Sequence, residues 1–148
     1  RARGFGGDRD GGGLAGKGLK RAMCEWGGDV GFGEAPTGPL GWKIALDPGD
    51  SSRVLTLANA AASTTGDTNQ FIEIGGKRYS HIVDPKTGLG LHGRMSATVV
   101  APDGITADSL TKVVAILGPK KGLDVLAQYK KVSGRFFRND GGKIEVSA

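Results

Sequence analysis

The densest chemistry in this sequence is the run Lys77-Arg78-Tyr79-Ser80-His81-Ile82-Val83-Asp84-Pro85-Lys86-Thr87-Gly88. It sets two cations, a phenol, a hydroxyl, an imidazole and a carboxylate ahead of a Pro/Gly turn. Imidazole changes charge near neutrality, so it suits proton exchange with a hydroxyl. Alternation along Arg78 to Val83 predicts a strand, with Ser80, Ile82 and Asp84 on one face and Tyr79, His81 and Val83 on the other. Asp84-Pro85-Lys86-Thr87-Gly88 predicts its end, because proline cannot donate to a ladder and pushes the residue before it out of the helical region. Groups at the end of a strand, just before a turn, are held by the sheet yet open to a ligand.

Two other stretches could touch a ligand. In Gly13-Leu14-Ala15-Gly16-Lys17-Gly18, a glycine turn carrying Lys17 opens a predicted helix over Leu14 to Met23. Backbone N–H groups, the helix dipole and one ammonium could hold a phosphate there, although the run is neither a Walker A sequence nor a Rossmann fingerprint, and a surface lysine is an equally good reading. The run Ala60-Ala61-Ala62-Ser63-Thr64-Thr65-Gly66-Asp67 is small and hydroxyl-rich, which leaves room for a flat ligand.

The elements that must position these groups follow from alternation and turn residues. Strands are predicted over Trp42 to Leu46, with Trp42, Ile44 and Leu46 facing inward, and over Arg53 to Ala58, Gln70 to Ile74 and Met95 to Val100. Trp26-Gly27-Gly28-Asp29-Val30 is a turn leading to a strand, and Gly75-Gly76 is a two-residue hairpin turn. A helix is predicted from Thr106 to Leu117, capped by Thr106, with Leu110, Val113 and Val114 on its buried side. Gly118-Pro119 stops it, Lys120 to Tyr129 begins another, and a hairpin over Gly134 to Val146 closes the chain. The sum is an α+β fold, a mostly antiparallel sheet with packed helices, organised as a single domain over residues 1–148.

Composition narrows the function. A chain of 148 residues with 38% hydrophobic content is large enough to bury a core without staples. Glycine supplies 27 of those residues, more than twice the average usage of about 7%, which implies many turns and close backbone approaches. A net charge of +5 suits an anionic ligand. Nucleic acid is disfavoured as a partner, because the basic residues are scattered and no zinc-finger spacing or RNA-binding aromatic pattern is present. Cys24, the single cysteine, excludes an internal disulfide and is expected to be a small buried group. Residues 1–13 are mostly glycine and charge and predict a flexible lead-in. The sequence opens at Arg1 without a methionine or a signal-type apolar stretch.

Taken in order, Gly27-Gly28-Asp29, Thr64-Thr65-Gly66-Asp67, the Tyr79 to Gly88 run, Val99-Val100-Ala101-Pro102 and Thr106-Ala107-Asp108-Ser109-Leu110 make the chain resemble the ApbE-type FAD:protein FMN transferases. The resemblance runs from about residue 10 to the C-terminus. It implies an ApbE-like, T-fold-related domain and, because family members are longer, the C-terminal part of one. It also implies a magnesium-dependent enzyme that cleaves FAD, releases AMP and attaches FMN to a threonine or serine of an acceptor flavoprotein. By position in the family motifs, His81 is the general base, Lys17, Thr64, Thr65, Gly66, Asp67, Ser80 and Asp84 lie toward FAD, and Asp108 and Thr111 toward the metal. A bacterial extracytoplasmic location, with membrane association through an N-terminal anchor outside this chain, is implied in the same way.

The chain departs from the family pattern at two places. Four residues after Asp108, where the family usually has a threonine one helical turn on, stands Lys112, with Thr111 one residue earlier. An ammonium cannot ligate magnesium, so the departure makes a non-catalytic FAD-binding or flavoprotein-assembly module the alternative reading. The stretch from Lys17 to Gly28 is also too short for the helix and strand the family places there.

Overall fold

The structure is a computed structural model and describes residues 13–47, 50–66, 71–140 and 143–147. Eleven strands and a long kinked helix are assigned: β1 (Met23–Trp26), β2 (Asp29–Phe32), β3 (Trp42–Asp47), β4 (Asp50–Leu57), β5 (Ala60–Gly66), β6 (Phe71–Ile74), β7 (Lys77–Val83), β8 (Gly90–His92), β9 (Arg94–Ala101), α1 (Gly104–Leu126), β10 (Ser133–Asp140) and β11 (Lys143–Ser147). The largest sheet has the order β1-β2-β5-β9-β10-β11, and β3-β4 and β6-β7-β8 form two smaller ones. The β1–β2, β2–β5, β3–β4, β6–β7, β7–β8 and β10–β11 pairs are all antiparallel. The chain is therefore α+β, with strands joined mainly by local hairpins.

By contact density the chain divides into two compact units. Unit 1 holds residues 1–63 and 100–108, and unit 2 holds residues 64–99 and 109–148.

In unit 1, Gly27 and Gly28 take positive φ values of 62° and 100°. That is the backbone a two-residue hairpin turn needs, and it sets Trp26 opposite Asp29. The predicted Leu14–Met23 helix shrinks to one helical turn at residues 13–16. Glycines at 16 and 18 weaken a helix, Gly18 sits at φ 85°, and Met23–Trp26 gains a full strand partner in β2 instead. The run from Ala60, read from sequence as a small-residue ligand lining, is strand β5, with Ala61, Ala62 and Ser63 buried beside β2. Cys24 is half-buried rather than enclosed. Trp42 and Ile44 alternate inward, as their spacing predicts, and Trp42 Nε1 donates to the Glu34 carbonyl at 3.0 Å.

In unit 2, Ile82, Met95, Ala97, Val99, Leu110, Val114, Leu126 and Phe136 form one buried cluster. Leu110 and Val114 come from the predicted inner face of α1, with Val113 packed partly against them. Gly118, at φ 75°, and Pro119 kink α1 where the sequence predicts one helix ending and the next beginning. Gly75 and Gly76, at φ 59° and 72°, make the predicted turn between β6 and β7.

The head of α1 corrects one expectation. Asp103, not Thr106, is the cap: its Oδ1 accepts from the Thr106 backbone N–H at 2.8 Å and its Oδ2 from the Thr106 hydroxyl at 2.9 Å. No helix among the described residues is long and apolar enough to cross a membrane.

Candidate functional site

Strand β7 arranges the densest group. Its alternation is as predicted, and packing decides which face turns inward: Ser80 and Ile82 are buried, whereas His81 and Val83 are exposed. Ile82 and Leu91 belong to the apolar core of unit 2, so this side of β7 and β8 is drawn in and His81 is left outward. Ser80 thus faces away from His81, and its Oγ accepts from the Ile82 backbone N–H at 3.1 Å.

At the end of β7, Asp84 organises the turn. Its Oδ1 accepts from the Lys86 N–H at 2.8 Å, and its carbonyl accepts from the N–H groups of Thr87 and Gly88 at 3.2 and 2.8 Å. Gly88 supplies the positive φ, 69°, that brings the chain back for β8. Rigidity at the end of β7 therefore comes from Asp84, three residues past His81.

Of the threonine-glycine group, Thr64 is exposed, Thr65 is buried, and Gly66 is half-buried. The hydroxyls of Thr64 and Thr98 share a hydrogen bond of 2.9 Å. A methyl group at Gly66 would lie 2.9 Å from the Met95 carbonyl oxygen, so β5 and β9 approach too closely there for any side chain. Asp67 lies outside the described residues, as do residues 1–12, which hold most of the expected lead-in, and Gly141 and Gly142 within the expected closing hairpin.

On α1, Asp108 is half-buried, Thr111 is fully buried, and Lys112 is half-buried. Among the described residues no group of three or more His, Cys, Asp or Glu side chains is placed to hold a metal ion.

Lys17 is exposed just beyond the helical turn at residues 13–16, where its N–H donates to the Leu14 carbonyl at 3.1 Å. Within unit 1 a concavity of about 180 Å³ is lined by Leu19, Lys20, Cys24, Phe32, Asn59 and Asp103, among others. Lys20 faces this hollow and Lys17 does not. The volume is below the roughly 300–1,000 Å³ of a drug-sized ligand's pocket.

Sequence reasoning missed three relationships near these residues. Ser63, directly before Thr64, donates to the buried Asp29 carboxylate at 2.5 Å. Tyr79 packs against His92 with ring centroids 4.4 Å apart and planes tilted by 55°, and the Arg78 guanidinium lies 3.3 Å from the Phe71 ring centroid. The signal for all three was pairing register: Asp29 opposes Ser63, Tyr79 opposes His92, and Phe71 opposes Ser80 beside Arg78's partner Glu73.

The ApbE family model matches residues 1–136. Among curated proteins, the Haemophilus influenzae FAD:protein FMN transferase is 30% identical over 99% of this chain, which spans 44% of that protein. The Escherichia coli K12 FAD:protein FMN transferase is 31% identical over 74% of this chain and 33% of its own length. Among solved structures, the apo flavinyl transferase ApbE of Pseudomonas stutzeri superposes with a TM-score of 0.79 at 27% identity, covering 99% of this chain and 46% of its own. The flavin transferase ApbE from Vibrio cholerae gives a TM-score of 0.80 at 25% identity over 98% of this chain and 47% of its own. The chain thus spans under half the length of the relatives it matches.

Proposed function

Because the chain belongs to the ApbE family, we propose that it is the FAD-processing part of a transferase that moves FMN from FAD to a threonine or serine hydroxyl of an acceptor flavoprotein and releases AMP. The observation that carries this reading is His81, exposed on β7 and set between a buried core face and a turn tied down by Asp84. An imidazole held by a rigid strand yet open to solvent can meet a hydroxyl from another protein.

In the proposed step the acceptor oxygen bonds to the phosphorus of the FMN half, and the bond from that phosphorus to the bridging oxygen breaks. The hydroxyl proton passes to His81, and AMP departs carrying the bridging oxygen. Lys17 is assigned to the phosphates and Thr64 to Gly66 to the flavin. Asp84 and Ser80 shape the end of β7 next to His81.

A half-buried carboxylate near the head of a helix fits a magnesium ion, which takes one or two carboxylates and completes its shell with water and substrate phosphate oxygens. Asp108 would hold it, and Thr111 would add its hydroxyl only from inside the unit 2 core. When bound, the ion would neutralise charge on the pyrophosphate. An extracytoplasmic setting belongs to the same proposal.

Lys112 favours the second reading, a module that binds FAD without transferring FMN, because it stands where a hydroxyl ligand would serve the metal. One assay separates the two: the protein is incubated with FAD, magnesium and a threonine-bearing acceptor protein. An FMN mass shift on the acceptor with stoichiometric AMP is expected of the transferase. FAD binding with no AMP released would leave only the binding module.

A further inference from the structure

The β6–β7–β8 sheet of unit 2 has a core side and an outer side, and the outer side carries more than His81. Residues directly opposite in antiparallel strands project to the same face. Register sets Ile72 opposite Tyr79 and Tyr79 opposite His92, so these three form a row across the sheet, with Ile74 opposite Lys77 in the next row. His81 and Val83 continue along β7 on the same face, because Ser80 and Ile82 turn to the core. Three apolar side chains here are more exposed than a sheet face needs: Ile72 at 63%, Ile74 at 62% and Val83 at 51%. An apolar patch around a candidate catalytic group is the usual mark of an interaction surface. All four residues of β6 are exposed.

We propose that this outer face is the docking surface for the acceptor protein, which lays an extended segment along β7 so that its threonine or serine hydroxyl meets His81. The inference rests on the transferase reading above. Alternate side chains of a strand recur about every 6.8 Å, and an extended acceptor segment has the same repeat. Its alternate residues therefore fall over Lys77 and Tyr79, and the next reaches His81, where the pairing of β7 with β8 shifts register between Tyr79 and Val83.

Charge defines the segment further. Residues 71–94 carry Lys77, Arg78, Lys86 and Arg94 against Glu73 and Asp84. Glu73 opposes Arg78 on the other face, and the Asp84 carboxylate caps its own turn. The outer face thus presents Lys77 beside its apolar rows, which suits a segment with acidic residues flanking the hydroxyl.

The test uses a carrier protein displaying a threonine in an extended loop flanked by aspartates, with a lysine-flanked loop as control. Ile72→Ser/Ile74→Ser should raise KM for the aspartate-flanked carrier at least tenfold, while FAD affinity and the thermal midpoint stay at the parent values. Lys77→Glu should raise KM similarly and remove its salt dependence. An unchanged KM in both variants, with the parent transferring FMN, overturns the docking surface and leaves the transferase standing. Equal labelling of the two carriers overturns the acidic segment. No transfer by the parent removes both. If sedimentation shows the parent self-associating through these residues while KM is unaffected, the occupant is a second copy and the proposal fails.

Discussion

Ser63 and Asp29 are joined twice over: they are the directly opposed pair where β5 meets β2, and the Ser63 hydroxyl donates to Asp29 Oδ1 at 2.5 Å. Both are nearly enclosed, at 1% and 8% exposure. A carboxylate in such a place is tolerated because it is hydrogen-bonded, and Asp29 follows directly on the two glycines that turn β1 into β2. The bond therefore ties the glycine hairpin to the strand that continues into Thr64.

Ser63→Ala should destabilise the protein by about 1–3 kcal/mol, since it removes a donor from a buried carboxylate and leaves the acceptor in place. Asp29→Asn keeps an acceptor oxygen and should cost less. Chemical denaturation of both variants checks the order. A Ser63→Ala protein as stable as the parent would mean that the hydroxyl contributes nothing to the β2–β5 pair.

His81→Ala should leave stability within about 0.5 kcal/mol of the parent, because the side chain is exposed and makes no part of the core. FMN transfer should fall by about 100- to 10,000-fold, the range for loss of a general base. Single-turnover transfer measured beside FAD binding distinguishes lost chemistry from lost ligand. Transfer at the parent rate would place the base elsewhere.

Much of this arrangement was legible in the sequence, and the exceptions share a cause. The glycine pair at 75–76 announced its hairpin, and the pair at 27–28 announced a turn though not the strand before it, because only residues at ease with positive φ make such turns. Alternation in β7 separated Ser80 and Ile82 from His81 and Val83. It could not say which set is buried, because that depends on Ile82 and Leu91 meeting helix residues far along the chain. The small run from Ala60 hid a strand, since alanine has little preference for a sheet and long-range pairing with β2 decided the matter. The helix expected at Leu14 failed for the same reason in reverse: a local pattern weakened by glycine yielded Met23–Trp26 to a strand partner. Asp103 was readable as a cap, lying three residues before a threonine whose N–H and hydroxyl both reach back to it.

Lys112→Thr tests the departure on α1. If Asp108 holds the metal, placing a hydroxyl one helical turn beyond it should tighten magnesium binding in the presence of FAD, read directly by titration calorimetry. Asp108→Ala should remove that binding in either background. Magnesium affinity unmoved by both changes would show that neither position touches the ion.

Gly122 offers a test of the packing beneath β7. It lies on the second arm of α1, past the Gly118–Pro119 kink, and a methyl group there would fall 2.7 Å from Val114 Cα and 3.2 Å from the Val114 carbonyl oxygen. Backbone atoms cannot swing aside as a flexible side chain can, and Val114 is itself fully buried in the unit 2 core. Gly122→Ala should therefore cost about 1–3 kcal/mol through overpacking, more than the roughly 1 kcal/mol that alanine returns as a better helix former. Gly16→Ala is the control, because it sits in the helical turn at residues 13–16 with nothing within 4 Å of its added methyl. That change should be neutral or stabilising by up to about 1 kcal/mol. The pair is read as two shifts of opposite sign in the denaturation midpoint. Equal shifts would show that the two arms of α1 open freely at Gly118 and that their close approach does not support the core under His81.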